Sequence, residues 1–258
     1  MKQALLCVSF GTTVPSARES IDAVEAALRD AVPGRAFARA YTSSIIRRIL
    51  RGRGEDIPSC AEALDQLREQ GFTDVLVQPT HFLPGVEFDK LRDEAAARSG
   101  DFQRLTVGRP LLSEPEDLHR LATVLNEVYP PVPGEALVLF GHGTSHFANA
   151  VYPALQTVFS LTGRDDVLVG TVEGWPGYGD VEEQLRDSGV RAAHIVPLML
   201  VAGDHALNDM SGSDPDSWQS RLEAAGFAVR CDLRGMGMLP GVRQMYREHL
   251  AALAADGR

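Results

Sequence analysis

The same pattern runs through this chain twice, and that repetition limits what it can fold into. Ala4-Leu5-Leu6-Cys7-Val8-Ser9-Phe10-Gly11-Thr12-Thr13 aligns with Ala136-Leu137-Val138-Leu139-Phe140-Gly141-His142-Gly143-Thr144-Ser145. Gly71-Phe72-Thr73-Asp74-Val75-Leu76-Val77-Gln78-Pro79 aligns with Gly189-Val190-Arg191-Ala192-Ala193-His194-Ile195-Val196-Pro197, and Leu105-Thr106-Val107 with Val229-Arg230-Cys231. In each copy short apolar runs alternate with amphipathic stretches, the pattern of βα units and a parallel sheet. Between the copies, Pro130-Pro131-Val132-Pro133-Gly134 ends any helix or central strand. The expected fold is therefore α/β, with two similar lobes, each a four-stranded parallel sheet flanked by helices, enclosing a cleft. The expected boundaries are 1–129 for the N-terminal lobe, 130–135 for a linker and 136–258 for the C-terminal lobe.

Local signals fill in the elements. Strands are expected at 4–9, 36–41, 74–79 and 104–107 in the first half, and over 137–141, 167–172 and 193–200 in the second. Ser16 and Glu19 predict a capping box for the first helix, whose Ile21, Val24, Leu28 and Ala31 recur at helical spacing. Ser59 and Glu62 predict another, and Ser113-Glu114-Pro115-Glu116 opens a helix running to about Tyr129.

Composition narrows the function. A net charge of −10 argues against a general nucleic-acid binder, although a local arginine cluster still serves an anionic small molecule. No run of about 18 apolar residues is present, which argues against a membrane span. The opening run Ala4–Val8 is too short for a signal-peptide core and reads as a buried strand, which implies a cytoplasmic protein. Cys7, Cys60 and Cys231 share no CxxC spacing, so neither a disulfide framework nor a thiolate zinc site is expected.

In open parallel α/β sheets, ligands bind beyond the carboxyl ends of the strands. His142, Glu173 and His205 fall at such positions in the second half, separated by 31 and then 32 residues, about one βα unit each. Two imidazoles and a carboxylate suit a divalent first-row metal with open coordination positions, not a closed structural zinc site. Each has a plainer reading: a structural histidine, or for Glu173 a cap on the helix near Asp180. His146 competes for a ligand role or hydrogen-bonds a neighbour at a helix start. His194 reads as a packing residue, and His119 and His249 as surface residues of helices.

On the repeat alignment His142 corresponds to Phe10 and His205 to Glu87, so the first half lacks a second bis-histidine set and one asymmetric site is expected. Glu87 reads either as a carboxylate that passes on metal or takes up protons, or as a first-turn residue favoured by the helix dipole. Arg47, Arg48, Arg51 and Arg53 form the densest basic cluster, fit for a polycarboxylate or for a solvated helix face.

These residues resemble the class II chelatases of tetrapyrrole synthesis, nearest to the anaerobic sirohydrochlorin cobaltochelatases of the CbiK type. The resemblance spans nearly the whole chain: Ser9-Phe10-Gly11-Thr12, Tyr41-Thr42-Ser43, Pro79-Thr80-His81, Gly141-His142-Gly143-Thr144, Val172-Glu173-Gly174 and Pro197 through Ala206. It implies a bilobal fold holding sirohydrochlorin between the lobes, with His142, Glu173 and His205 as metal ligands. On that basis substrate contacts are expected from Ser9, Phe10, Thr12, Tyr41, Ser43 and Arg47, and acid–base chemistry asks for a proton acceptor, expected among His142, Glu173, His205 and Glu87. The resemblance implies Co2+ as metal substrate within cobalamin synthesis, with Fe2+ for sirohaem, or Ni2+, as the alternatives. No organic cofactor, nucleic acid or membrane partner is expected, and a homo-oligomer is compatible. No ATP-binding GxxxxGK[ST] motif occurs.

Two rivals stand beside this. Leu139-Phe140-Gly141-His142-Gly143 is similar to the Arg-His-Gly signature of histidine phosphatases, but Gly141 occupies the place of the arginine. A non-enzymatic tetrapyrrole or metal carrier also fits two lobes and a cleft.

Overall fold

The computed structural model describes residues 1–256. The chain parts into two compact units, Met1–Ser113 with the segment from Val242 onward, and Glu114–Gly241. The first contains strands β1 (Gln3–Ser9), β2 (Ala36–Tyr41), β3 (Asp74–Pro79) and β4 (Arg104–Val107), with helices α1 (Pro15–Ala31), α2 (Ser44–Gly52), α3 (Cys60–Glu69) and α4 (Val86–Ala96). The strands form one parallel sheet in the order β2-β1-β3-β4, with Ala4 facing both Ala36 and Val75. β1 and β3 are buried almost throughout, which is why they read as continuous apolar runs rather than alternating ones. Leu6, Val8, Val75 and Val77 pack with Cys60, Leu64 and Leu91 on one face of this sheet.

The second unit contains α5 (Pro115–Val128), β5 (Glu135–Gly141), α6 (Val151–Leu161), β6 (Val167–Thr171), α7 (Tyr178–Ser188), β7 (Ala192–Pro197), α8 (Trp218–Ala224) and β8 (Ala228–Cys231). Its parallel sheet runs β6-β5-β7-β8, the first unit's order repeated. The aligned segments of the sequence are thus β1 with β5, β3 with β7 and β4 with β8. Val138, Phe140, Ile195 and Trp218 lie in its core, where the Trp218 ring meets Phe140 edge-on.

The units do not end where the sequence break at 130–135 suggested. Helix α5 precedes that break yet packs against α6 of the second unit. The last helix, α9 (Pro240–Asp256), follows the second sheet but joins the first unit from Val242, where Tyr246 Oη donates to the Thr80 carbonyl at 2.7 Å. His249, expected at the surface, is buried, because it shares a helical face with the buried Val242, Met245, Tyr246 and Leu250.

Two further local expectations are corrected. α1 has no Ser16–Glu19 box: Val14 is the N-cap and Pro15 takes the first helical position, which puts Ser16 inside the helix. Proline suits that position because its ring presets φ and it brings no N–H to satisfy. The Ser59–Glu62 box does form, with Glu62 N donating to Ser59 Oγ at 3.2 Å and Ser59 N to Glu62 Oε2 at 2.7 Å. β7 stops at Pro197, three residues short of the expected Leu200. Beyond it, the carbonyls of Met199 and Leu200 accept from Met236 N and Gly237 N, so a 3-10 turn rather than a strand partners that backbone.

One buried ionic cluster ties the first sheet together. Asp74, at the start of β3, accepts from Gln3 of β1, Arg35 just before β2 and Arg104 of β4. Burial alone would raise its pKa, but the Arg104 and Arg35 hydrogen bonds overcome that and hold it at about 2. Among the described residues, no helix is long and apolar enough to cross a membrane.

Candidate metal centre

β5 and β6 continue to pair beyond their ends. Val172 N donates to the Gly141 carbonyl at 3.0 Å and Glu173 N to the His142 carbonyl at 2.8 Å, which sets His142 and Glu173 side by side. Gly143 lets the two loops touch. Its φ is +85°, and a Cβ there would stand 2.4 Å from Gly174 N, a backbone atom with no room to give. Two side chains from the next segment fix this arrangement. Tyr152 Oη accepts from Gly143 N at 3.2 Å, while Asn149 Oδ1 accepts from Thr144 N and its amide donates to the Trp175 carbonyl.

His205 arrives from the third strand, after the loop that follows β7. Its ring lies edge-on to that of His142, with centroids 4.7 Å apart and planes at 87°. One ligand atom from each of His142, Glu173 and His205 lies within 4.8 Å of the others. Both histidines are half-buried and Glu173 is exposed, so the site is open to an incoming partner. His142 Nδ1 donates to the Gly143 carbonyl at 2.8 Å, and His205 Nδ1 lies 2.6 Å from Asp209 Oδ2. Each ring therefore keeps Nε2 bare, the form in which imidazole binds a metal. Three ligands of mixed nitrogen and oxygen type with open positions suit a labile divalent ion rather than a structural one.

The plainer readings resolve as follows. Glu173 does not cap α7; Asp180 does, accepting from Gly177 N at 2.7 Å. His146 Nδ1 accepts from Ala148 N at 3.1 Å as the cap of a 3-10 turn. His194 packs edge-on against Tyr129 with Nε2 3.3 Å from Arg230 Nη1, and burial followed by that cation lowers its pKa. His119 is exposed on α5. The free thiols Cys7 and Cys60 are buried, and burial raises the pKa of both.

The residues expected at the substrate lie within the first unit and differ in what they offer. Ser9 is buried and its Oγ accepts from Thr80 Oγ1 at 2.7 Å. Thr12 is buried too, its Oγ1 accepting from Val14 N. Phe10 is 46% exposed. Tyr41 is buried, with a hydroxyl that has no hydrogen-bond partner among the described residues. Ser43 caps α2 by accepting from Ile46 N. Of the arginine cluster, Arg47 pairs with Glu62, Arg51 with Asp56, and Arg53 donates to the Thr13 carbonyl. Arg48, exposed on α2, is the member left with neither an ion pair nor a side-chain hydrogen bond among the described residues, a distinction that the sequence of the cluster hides. Glu87 sits in the first turn of α4 with a buried Oε2 that no described residue partners. His81, part of the Pro79-Thr80-His81 motif but with no role expected of it from the sequence, lies beyond the end of β3 with Nε2 3.3 Å from Thr42 Oγ1, and burial pushes its pKa down to about 4.

A cavity of about 590 Å³ opens elsewhere in the second unit, lined by Tyr129, Glu135, Arg164, His194, Arg230 and Asp232 among others. Glu135 begins the seven-residue β5, so this cavity is about 20 Å from the strand end that carries His142. Its arginines are taken by Asp166, Glu135 and Asp232, which leaves it without free charge for a ligand.

Over nearly its whole length the chain is similar to known proteins. The family described as cobalt chelatase (CbiK) matches residues 3–255. The sirohydrochlorin cobaltochelatase of Salmonella typhimurium is 42% identical over 253 residues, covering 97% of this chain and 96% of that protein. The sirohydrochlorin cobaltochelatase CbiKC of Nitratidesulfovibrio vulgaris is 35% identical over 257 residues, covering 97% and 90%. Among solved structures, SirB from Bacillus subtilis with Fe3+ superposes with a TM-score of 0.68 over all of this chain and 97% of its own, at 17% identity, a likeness of fold.

Proposed function

The chain belongs to the cobalt chelatase (CbiK) family, and from that premise we propose that it is a sirohydrochlorin cobaltochelatase working through His142, Glu173 and His205. The observation that carries the site assignment is the meeting of two imidazoles and a carboxylate within 4.8 Å at three strand ends.

In this reading, His142 Nε2, His205 Nε2 and the Glu173 carboxylate take Co2+ from solution and present it with open coordination positions. Ring nitrogens of sirohydrochlorin then replace the protein ligands one after another. Two pyrrole N–H protons leave as the metal enters, so charge balances without ATP. An acceptor must stand ready for them. Glu87, with its unpartnered oxygen, and the imidazoles freed by the departing metal are suited to that step. Among the cations of α2, Arg48 is available for a substrate carboxylate, alongside the contacts assigned to Phe10, Tyr41, Ser43 and Arg47.

The test is to mix the protein with sirohydrochlorin and Co2+ and follow the change in absorption as the ring is metallated. The expected result is a rate well above that without protein, with repeated turnover at substoichiometric protein. Binding of both components with no gain in rate would instead identify a carrier.

A further inference from the structure

The two imidazoles of the metal centre are backed by unlike partners. A carbonyl oxygen only accepts, so His142 Nδ1 carries the proton it shares with Gly143 at 2.8 Å, while Glu173 Oε2, at 3.8 Å from the same nitrogen, lies beyond hydrogen-bond reach. His205 Nδ1 donates in the same sense, but to a carboxylate, Asp209 Oδ2, at 2.6 Å. Hydrogen bonds to an ionised acceptor are shorter and about twice as strong as neutral ones. Behind a metal-binding imidazole such a carboxylate fixes the ring's tautomer and orientation and makes the other nitrogen a better donor.

The local fold is built to keep Asp209 there. It stands four residues after His205 in a single π-turn, Ala206–Met210, whose two end residues are buried. Asn208 Nδ2 bonds back to Asp204 Oδ1 at 2.9 Å, and Ser211 Oγ to the Ala206 carbonyl at 2.9 Å, so both sides of the turn are held. Asp209 itself is partly exposed, and among the described residues His205 is its one side-chain partner. A carboxylate free to face water yet fixed on one imidazole has that imidazole as its task.

We propose that Asp209 is a positioning residue that makes His205 the retaining ligand of the centre, while His142, backed by a neutral carbonyl, is the ligand that releases the metal first. This rests on His142, Glu173 and His205 being the metal site. The inequality suits a protein that must hold an ion and then surrender it: one firm ligand keeps the metal in place as the weaker one is exchanged.

The experiment measures Co2+ affinity of the full chain, without tetrapyrrole, by competition with a chromophoric chelator. Asp209→Ala is expected to weaken binding about 10- to 100-fold. Asp209→Asn, whose amide oxygen still accepts from Nδ1–H, is expected to lose less. In a His205→Ala background, Asp209→Ala should cost nothing further, and His205→Ala should lose more affinity than His142→Ala. Circular dichroism of each variant checks the fold, and the near-isosteric Asn variant carries the test should the Ala variant unfold. Wild-type affinity in both Asp209 variants, or an equal loss with His205 already absent, overturns the proposal. If His142→Ala and His205→Ala both bind Co2+ like the wild type, the site assignment itself falls, a result distinct from failure of the Asp209 coupling alone.

Discussion

His142→Ala is expected to abolish cobalt insertion while leaving the fold intact. The imidazole is one of the three proposed ligands, and the residue after it, Gly143, packs backbone to backbone on Gly174 and brings no side chain to replace it. Removing a group behind a ligand already costs about 10- to 100-fold, so loss of the ligand itself should lower kcat/KM by more than about 100-fold. Stability should change little. The ring is half-buried, its one hydrogen bond is to the carbonyl of the next residue, and its contacts with the His205 ring and Glu173 lie at the open site rather than in the core. Metallation rate and thermal melting of the same preparation check both parts. Wild-type turnover would remove His142 from the chemistry.

Asp74→Ala should be strongly destabilising to the first unit. It would strip Arg35 and Arg104 of their shared carboxylate and cut the link among the starts of four strands. Breaking a buried pair from one side typically costs about 3–5 kcal/mol, because a desolvated charge is left behind. The acid limb of the stability curve gives a second readout. The folded pKa of about 2 lies below the ordinary 3.8, so Asp74 stabilises the fold fully above about pH 4. That contribution, about 2 kcal/mol from the size of the shift, is lost as pH falls towards 2. Chemical denaturation at pH 7 and pH 3 should show the wild type losing about half of this increment, about 1 kcal/mol, and the variant, already weakened, lacking that step.

Much of the fold is legible in the sequence because buried parallel strands are spelled as apolar runs. β1 and β5, or β3 and β7, can be aligned by eye, and the two sheets repeat one order. The partner of each helix is not legible. The periodicity of α5 and α9 shows that a face is buried but not what covers it, so α5 was expected with the half that precedes the proline run, and His249 at the surface. Capping shows a similar competition, where Pro15 displaces the Ser16 signal but nothing displaces Ser59.

The candidate metal ligands were legible for a topological reason. Three strand ends one βα unit apart must lie together on adjacent strands β6, β5 and β7, and His142, Glu173 and His205 do. Asp209 was written there too, four residues beyond His205, but an acidic residue at that spacing is common and only the 2.6 Å contact singles it out. The roles of the arginines were hidden for a different reason. Which guanidinium is consumed by Glu62, Asp56 or the Thr13 carbonyl depends on how the chain before α1 and after α2 packs around it, not on the spacing within the cluster.

The most direct measurement is to locate cobalt itself, by anomalous scattering from crystals of the protein grown with Co2+. The account predicts one ion bound by Nε2 of His142, Nε2 of His205 and the carboxylate of Glu173, with the remaining positions taken by water. Cobalt held by other residues, with these three side chains empty, would contradict it.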